Sequence, residues 1–139
     1  MKKRFIFPIL LFVLLLSACN YGDELSGKTF DVAYWGPESD THYSEVTLEF
    51  SDGNIVKNTK GNEEGTYDLK EDTLVILFEN ENENLEFIFT VTENDKDSSK
   101  YSAVISDVVY EISDTDKIKT YQNLLFKLEK GRNYEFIKR

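Results

Sequence analysis

Glu45-Val46-Thr47-Leu48-Glu49-Phe50-Ser51-Asp52-Gly53-Asn54, residues 45–54, alternates strictly and then turns. Period two puts Val46, Leu48 and Phe50 on one face and Glu45, Thr47 and Glu49 on the other. That is a strand with one side in a core and the other in water. Ser51-Asp52-Gly53-Asn54 follows, with a glycine available for positive φ, and predicts a tight hairpin into Ile55–Asn58.

The same period extends in both directions. Upstream, Phe30, Val32 and Tyr34 alternate with Thr29, Asp31 and Ala33. Downstream, Lys60 to Glu64 is a polar loop and Gly65-Thr66-Tyr67-Asp68-Leu69 resumes the alternation. Glu71-Asp72 turns the chain into Thr73–Glu79, where Leu74, Ile76 and Phe78 face one way. Val75 and Leu77 make the other side apolar too, so cover on both faces is expected there. Glu79 to Asn84, an alternation of Glu and Asn, reads as a solvated connection. Leu85, Phe87, Phe89 and Val91 then form the strongest apolar stripe of the chain beyond its N-terminus.

After the polar loop Glu93–Lys100, Tyr101, Ala103 and Ile105 are followed by Val108, Tyr110 and Ile112. The phase changes across Ser106-Asp107 and requires a bulge or a turn, because a one-residue slip would send the apolar set to solvent. Ser113 to Thr120 reads either as a hairpin loop or as one helical turn capped by Ser113 or Asp114. Leu124, Phe126 and Leu128 predict the last strand, with Tyr134 and Phe136 in a short tail. The count is eight strands with a bulge and nine with a turn. Short strands joined by short polar turns predict an all-β antiparallel meander. Closing it into a small up-and-down barrel hides one sheet face without leaving an edge, and a two-sheet sandwich is the alternative.

The N-terminus has a different character. Lys2, Lys3 and Arg4 precede an apolar run from Phe5 to Leu16, and Ser17 and Ala18 are small, as in a secretory signal. The run is shorter than the roughly 20 apolar residues of a spanning helix. Leu16-Ser17-Ala18-Cys19 resembles the bacterial lipobox. That resemblance implies cleavage before Cys19 and a diacylglyceryl group on its thiol, which places the chain at the cell membrane, lipid-anchored on the extracytoplasmic face. Two acyl chains hold stably where one does not. The resulting division is a lipoprotein signal peptide at 1–18, a lipidated N-terminus and polar tether at 19–26, and one barrel domain at 27–139.

The signal holds three of the 16 basic residues and none of the 26 acidic ones, so the remainder carries 13 basic residues and a formal charge of −13. Such a surface repels nucleic acid and favours basic partners or cations. Cys19 is the only cysteine, so with it lipidated no thiol is left for a disulfide. Lysine greatly outnumbers arginine and alanine is scarce, a composition that hints at an AT-rich, Gram-positive genome.

The order of signals resembles the small lipocalin-like lipoproteins of Gram-positive bacteria. It is carried by Leu25-Ser26-Gly27-Lys28-Thr29, Phe50-Ser51-Asp52-Gly53, Gly65-Thr66-Tyr67, Asp72-Thr73-Leu74 and Leu125-Phe126-Lys127-Leu128. The resemblance implies a barrel of about eight strands.

His42 is the only histidine, so no Ser-His-Asp relay can be assembled, and its polar loop Glu38–Tyr43 predicts a solvated side chain. No pair of carboxylates has the apolar setting that raises a pKa for acid catalysis. Glu79, Glu81 and Glu83, or Asp95 and Asp97, could chelate Ca²⁺, yet neither run has a dedicated loop pattern, and hairpin tips are expected. Phosphate-loop and dinucleotide glycine patterns are absent; no cofactor, metal or enzymatic activity is expected. Phe30, Phe50, Phe78, Phe87, Phe89 and Phe126 fall on predicted inner faces, which favours a filled interior. Tyr34 and Trp35 near one rim, with Tyr43 across the loop, form a candidate contact patch. The expected role is a binding module contacting a protein or envelope component, the alternative a carrier of a small apolar ligand.

Overall fold

A computed structural model describes residues 24–38, 40–97 and 99–139. The signal run, Leu16, Ser17, Ala18 and Cys19 lie outside the described residues. Eight strands form one closed antiparallel barrel in sequence order. They are β1 Thr29–Trp35, β2 His42–Ser51, β3 Ile55–Asn58, β4 Glu64–Lys70, β5 Thr73–Glu79, β6 Glu83–Glu93, β7 Lys100–Ile112 and β8 Asn133–Lys138. The last strand closes on the first, Val32 opposite Phe136, so no sheet edge remains. This architecture is compatible with a lipocalin-like barrel.

Ser51 pairs with Ile55 across Asp52-Gly53-Asn54, with φ of 77° at Gly53 and 60° at Asn54, so the expected hairpin forms. The phase change on β7 is a bulge. Ile88 faces Asp107 but Phe89 faces Ile105, so Ser106 is the extra residue, and its Oγ donates to the Ile88 carbonyl at 3.0 Å. One continuous strand thereby keeps both Ile105 and Val108 facing in. Glu45 plays the same part on β2, where the register shifts opposite Val32 and Ala33.

Eight strands leave an interior just wide enough for side chains to fill. Phe30, Phe50, Phe78, Phe87, Phe89 and Phe136 are its largest rings, all fully buried. They pack edge-on or tilted, as Phe89 against Phe136 at 5.4 Å and Phe30 against Phe50 at 6.0 Å between centroids.

Several expectations are corrected. Residues 124–128 are not a strand: Gln122–Lys127 is a short helix, α1, and β8 comes from the Tyr134–Phe136 segment. Tyr121, Leu124 and Leu128 recur at helical spacing and are buried, whereas Phe126 is 70% exposed instead of lining the interior. Ser113–Thr120 is an irregular loop with no helical turn. Val75 and Leu77 are half-buried on the outer wall, Val75 beside Ile88, rather than covered. Leu25, in the stretch read as a polar tether, is buried in the core.

Because strand directions alternate, each loop belongs to one end. The near end holds Glu24–Lys28, the hairpin at 52–54, the turn Glu71-Asp72 and the loop between β6 and β7. The far end holds the loops 36–41 and 59–63, the turn at 80–82 and the 20-residue crossing 113–132 that carries α1.

Candidate functional site

The far end is built around a carboxylate. Glu83 continues the inward stripe of Leu85, Phe87 and Phe89 by one step, so alternation carries its side chain into the barrel mouth, 1% exposed. Expected as part of a solvated connection, it is instead the most thoroughly bonded acid of the described chain. Oε1 accepts from the Tyr110 hydroxyl at 2.7 Å and the Tyr121 amide at 3.1 Å. Oε2 accepts from the Thr120 amide at 2.7 Å and Asn80 Nδ2 at 3.0 Å. Burial pushes this carboxyl's pKa up, but the four donors outweigh it and hold the value below the ordinary 4.5. The hydroxyl of Tyr110 is pushed up to about 12, by burial first and then by Glu83.

This carboxylate fastens the crossing. Asn82 adds two bonds to its start, its carbonyl accepting from Ser113 and its Oδ1 from Asp114. The Tyr121 hydroxyl donates to the Glu79 carbonyl at 3.0 Å. Leu124 and Leu128 then close the mouth from above. Both oxygens of Glu83 are committed to holding structure, which leaves it unlike a general acid or a calcium ligand.

The predicted contact patch assembles at the same end. Tyr34 pairs with Tyr43 and Trp35 with His42 across the top of β1 and β2. The tyrosine rings stack at 6.0 Å, and the Tyr43 ring lies where a Cβ at Gly36 would stand. Trp35 rests on the His42 imidazole at 3.7 Å between centroids. His42 is therefore not the solvated loop residue expected: it opens β2, half-buried, with Nε2 3.3 Å from Glu135 Oε2. Alternation missed this contact because it joins the second strand to the last through the barrel's closure. Arg132 sits 4.7 Å from the Tyr34 ring centroid and 2.9 Å from Glu129. Among the described residues six large apolar side chains are exposed, and four of them, Trp35, Tyr43, Ile118 and Phe126, belong to the far end. Among those residues no helix is long and apolar enough to cross a membrane.

No family model, curated protein or solved structure matches the chain.

Proposed function

We propose that the chain is a non-enzymatic lipoprotein of the lipocalin-like type, anchored by a diacylglyceryl group on Cys19 at the extracytoplasmic face of the membrane. In this reading it contacts a protein or envelope component with the barrel end remote from its anchor. The observation that carries the proposal is the aromatic cluster Tyr34, Trp35 and Tyr43 at the far end, where Trp35 is 54% and Tyr43 42% exposed. Tyr and Trp dominate binding hot spots, and exposed aromatic clusters are uncommon without a partner. Leu25 is buried at the opposite end, and the six residues from Cys19 to it reach at most about 20 Å. An anchor at Cys19 therefore turns the near end to the lipid and the aromatic end outward. The ring-filled interior supports contact at the surface over carriage of a ligand within.

A photo-crosslinking amino acid at Tyr43 or at Ile55, on the near end, tests the reading in the native cell. A discrete adduct at position 43, absent at 55 and lost with Trp35→Ala, is expected. Equal adducts at both positions, or indifference to Trp35→Ala, would refute it. Labelled palmitate should enter the parent chain and not Cys19→Ser.

A further inference from the structure

The ladder between β1 and β8 stops at Ala33 opposite Glu135, while β8 stays paired with β7 as far as Val104 opposite Asn133. The upper end of β1 thus leaves its neighbour, and a groove of about 230 Å³ opens on the outer wall. Trp35 and Ala33 form one side of it, Asn133 and Glu135 the floor of the gap, and Ser102 and Val104 the other side.

We infer that this groove receives an arginine side chain of a partner protein, stacked on Trp35 and paired with Glu135. The inference rests on the interaction reading above and supplies its chemistry.

Size argues for a side chain. Free small molecules occupy pockets of about 300–1,000 Å³, and this groove is smaller. It suits one long residue presented by something larger. Charge argues for a cation. Glu135 borders the groove; its Oε2 lies buried 3.3 Å from His42 Nε2, and neither atom makes a hydrogen bond among the described residues. Glu38 and Asp40 stand exposed in the loop beside Trp35. The chain as a whole is acidic, with a formal charge of −10.

Shape argues for arginine over lysine. A planar, weakly hydrated guanidinium stacks on an indole while one of its donors reaches a carboxylate at the ring's side, whereas an ammonium is a compact, strongly hydrated point charge. Half-buried Val104 offers apolar surface to the stem of the side chain. The rim already seats one guanidinium in this way: Arg132 lies over Tyr34 and pairs with Glu129.

Trp35 is the sole tryptophan, so selectively excited tryptophan emission, free of the eight tyrosines, reports on this groove. The full chain in detergent is titrated with an N-acetylated, C-amidated tri-arginine peptide, with tri-lysine and an N-acetylglucosamine tetramer in parallel. A saturable change with tri-arginine, weaker with tri-lysine, is expected. Anisotropy of the fluorescein-labelled peptide should show affinity falling about tenfold in Trp35→Ala and in Glu135→Gln, and unchanged in Val109→Ala. Glu135→Gln keeps the side chain's shape, so it carries the test even where Trp35→Ala disturbs folding. Three results overturn the inference: no saturable binding of tri-arginine, equal binding by parent and both groove variants, or a response to the sugar tetramer alone. Loss of peptide binding while the Tyr43 adduct persists would sink the arginine assignment and leave the contact end standing.

Discussion

The two ends of this barrel are closed by different physics. At the near end Leu25, from the segment entering β1, drops into the core, and the Gly27 amide donates to the Phe50 carbonyl beside it. That closure is an apolar plug held by backbone hydrogen bonds, with no buried charge among the described residues there. At the far end a 20-residue crossing lies over the mouth; Asn82 holds its start, and one buried carboxylate with four donors, two of them from the crossing, fastens its middle. The contrast shows that a barrel can be sealed by one apolar side chain and backbone bonds where the chain is short. Where it is long, a polar clamp fixes the position of α1 before Leu124 and Leu128 can pack.

The largest effect should come from breaking the clamp. Glu83→Ala strands four donors, Tyr110, Asn80 and the amides of Thr120 and Tyr121, around an emptied site. Leaving buried donors without an acceptor is expected to cost about 3 kcal/mol, read as a drop in denaturation midpoint. Hydrogen exchange should accelerate first at Thr120 and Tyr121 and leave the Gly27 amide slow. Uniform acceleration at both ends would mean that the ends are not independent closures. Leu25→Ala removes the apolar plug instead. A loss of about 2 kcal/mol is expected, at the low end for a buried leucine because the site adjoins solvent. Its exchange pattern should be the reverse, fast at Gly27 and unchanged at Tyr121. A stability change below a few tenths of a kcal/mol would show that the near end needs no plug.

The same contrast marks what the sequence made legible. Near-end hairpins and the strands themselves follow from local alternation, and even the bulge at Ser106 shows as a phase change between Ile105 and Val108. The far end resists such reading. Glu83 lies in phase with Leu85 and Phe87, which was a usable signal, but its place in an Asn-Glu alternation suggested solvent. Leu124, Phe126 and Leu128 fit a strand at period two, while Tyr121, Leu124 and Leu128 fit a helix at three and four. A run that short does not decide between them by periodicity. The barrel decides: Tyr134 and Phe136 satisfy the closing position against β1, which frees the earlier run to cap the mouth. The nearness of Tyr34, Trp35 and Tyr43 to one another was legible from their rim positions. Its neighbour Glu135 was not, because only closure of the barrel brings β8 beside β1.

The smallest effect, and the finest separation of the ends, is in pH. Glu83 in the folded chain titrates below its ordinary 4.5, so its contribution is present above that value and is lost as pH falls through the lower folded one. Tyr110 reports the alkaline side. Its hydroxyl is raised from 10 to about 12, so that contribution is full below pH 10 and disappears as pH climbs toward 12. Denaturation midpoints across both ranges should fall in the parent, with exchange rising at Thr120 and Tyr121 ahead of Gly27. Glu83→Gln starts less stable, because its amide nitrogen meets donors, but it has no proton to gain there. Its acid limb should be shallower than the parent's, and other acids titrating in both proteins cancel in the comparison. Parallel curves for parent and variant would show that Glu83 titrates alike in the folded and unfolded chains, so that its four donors do not favour the ionised form.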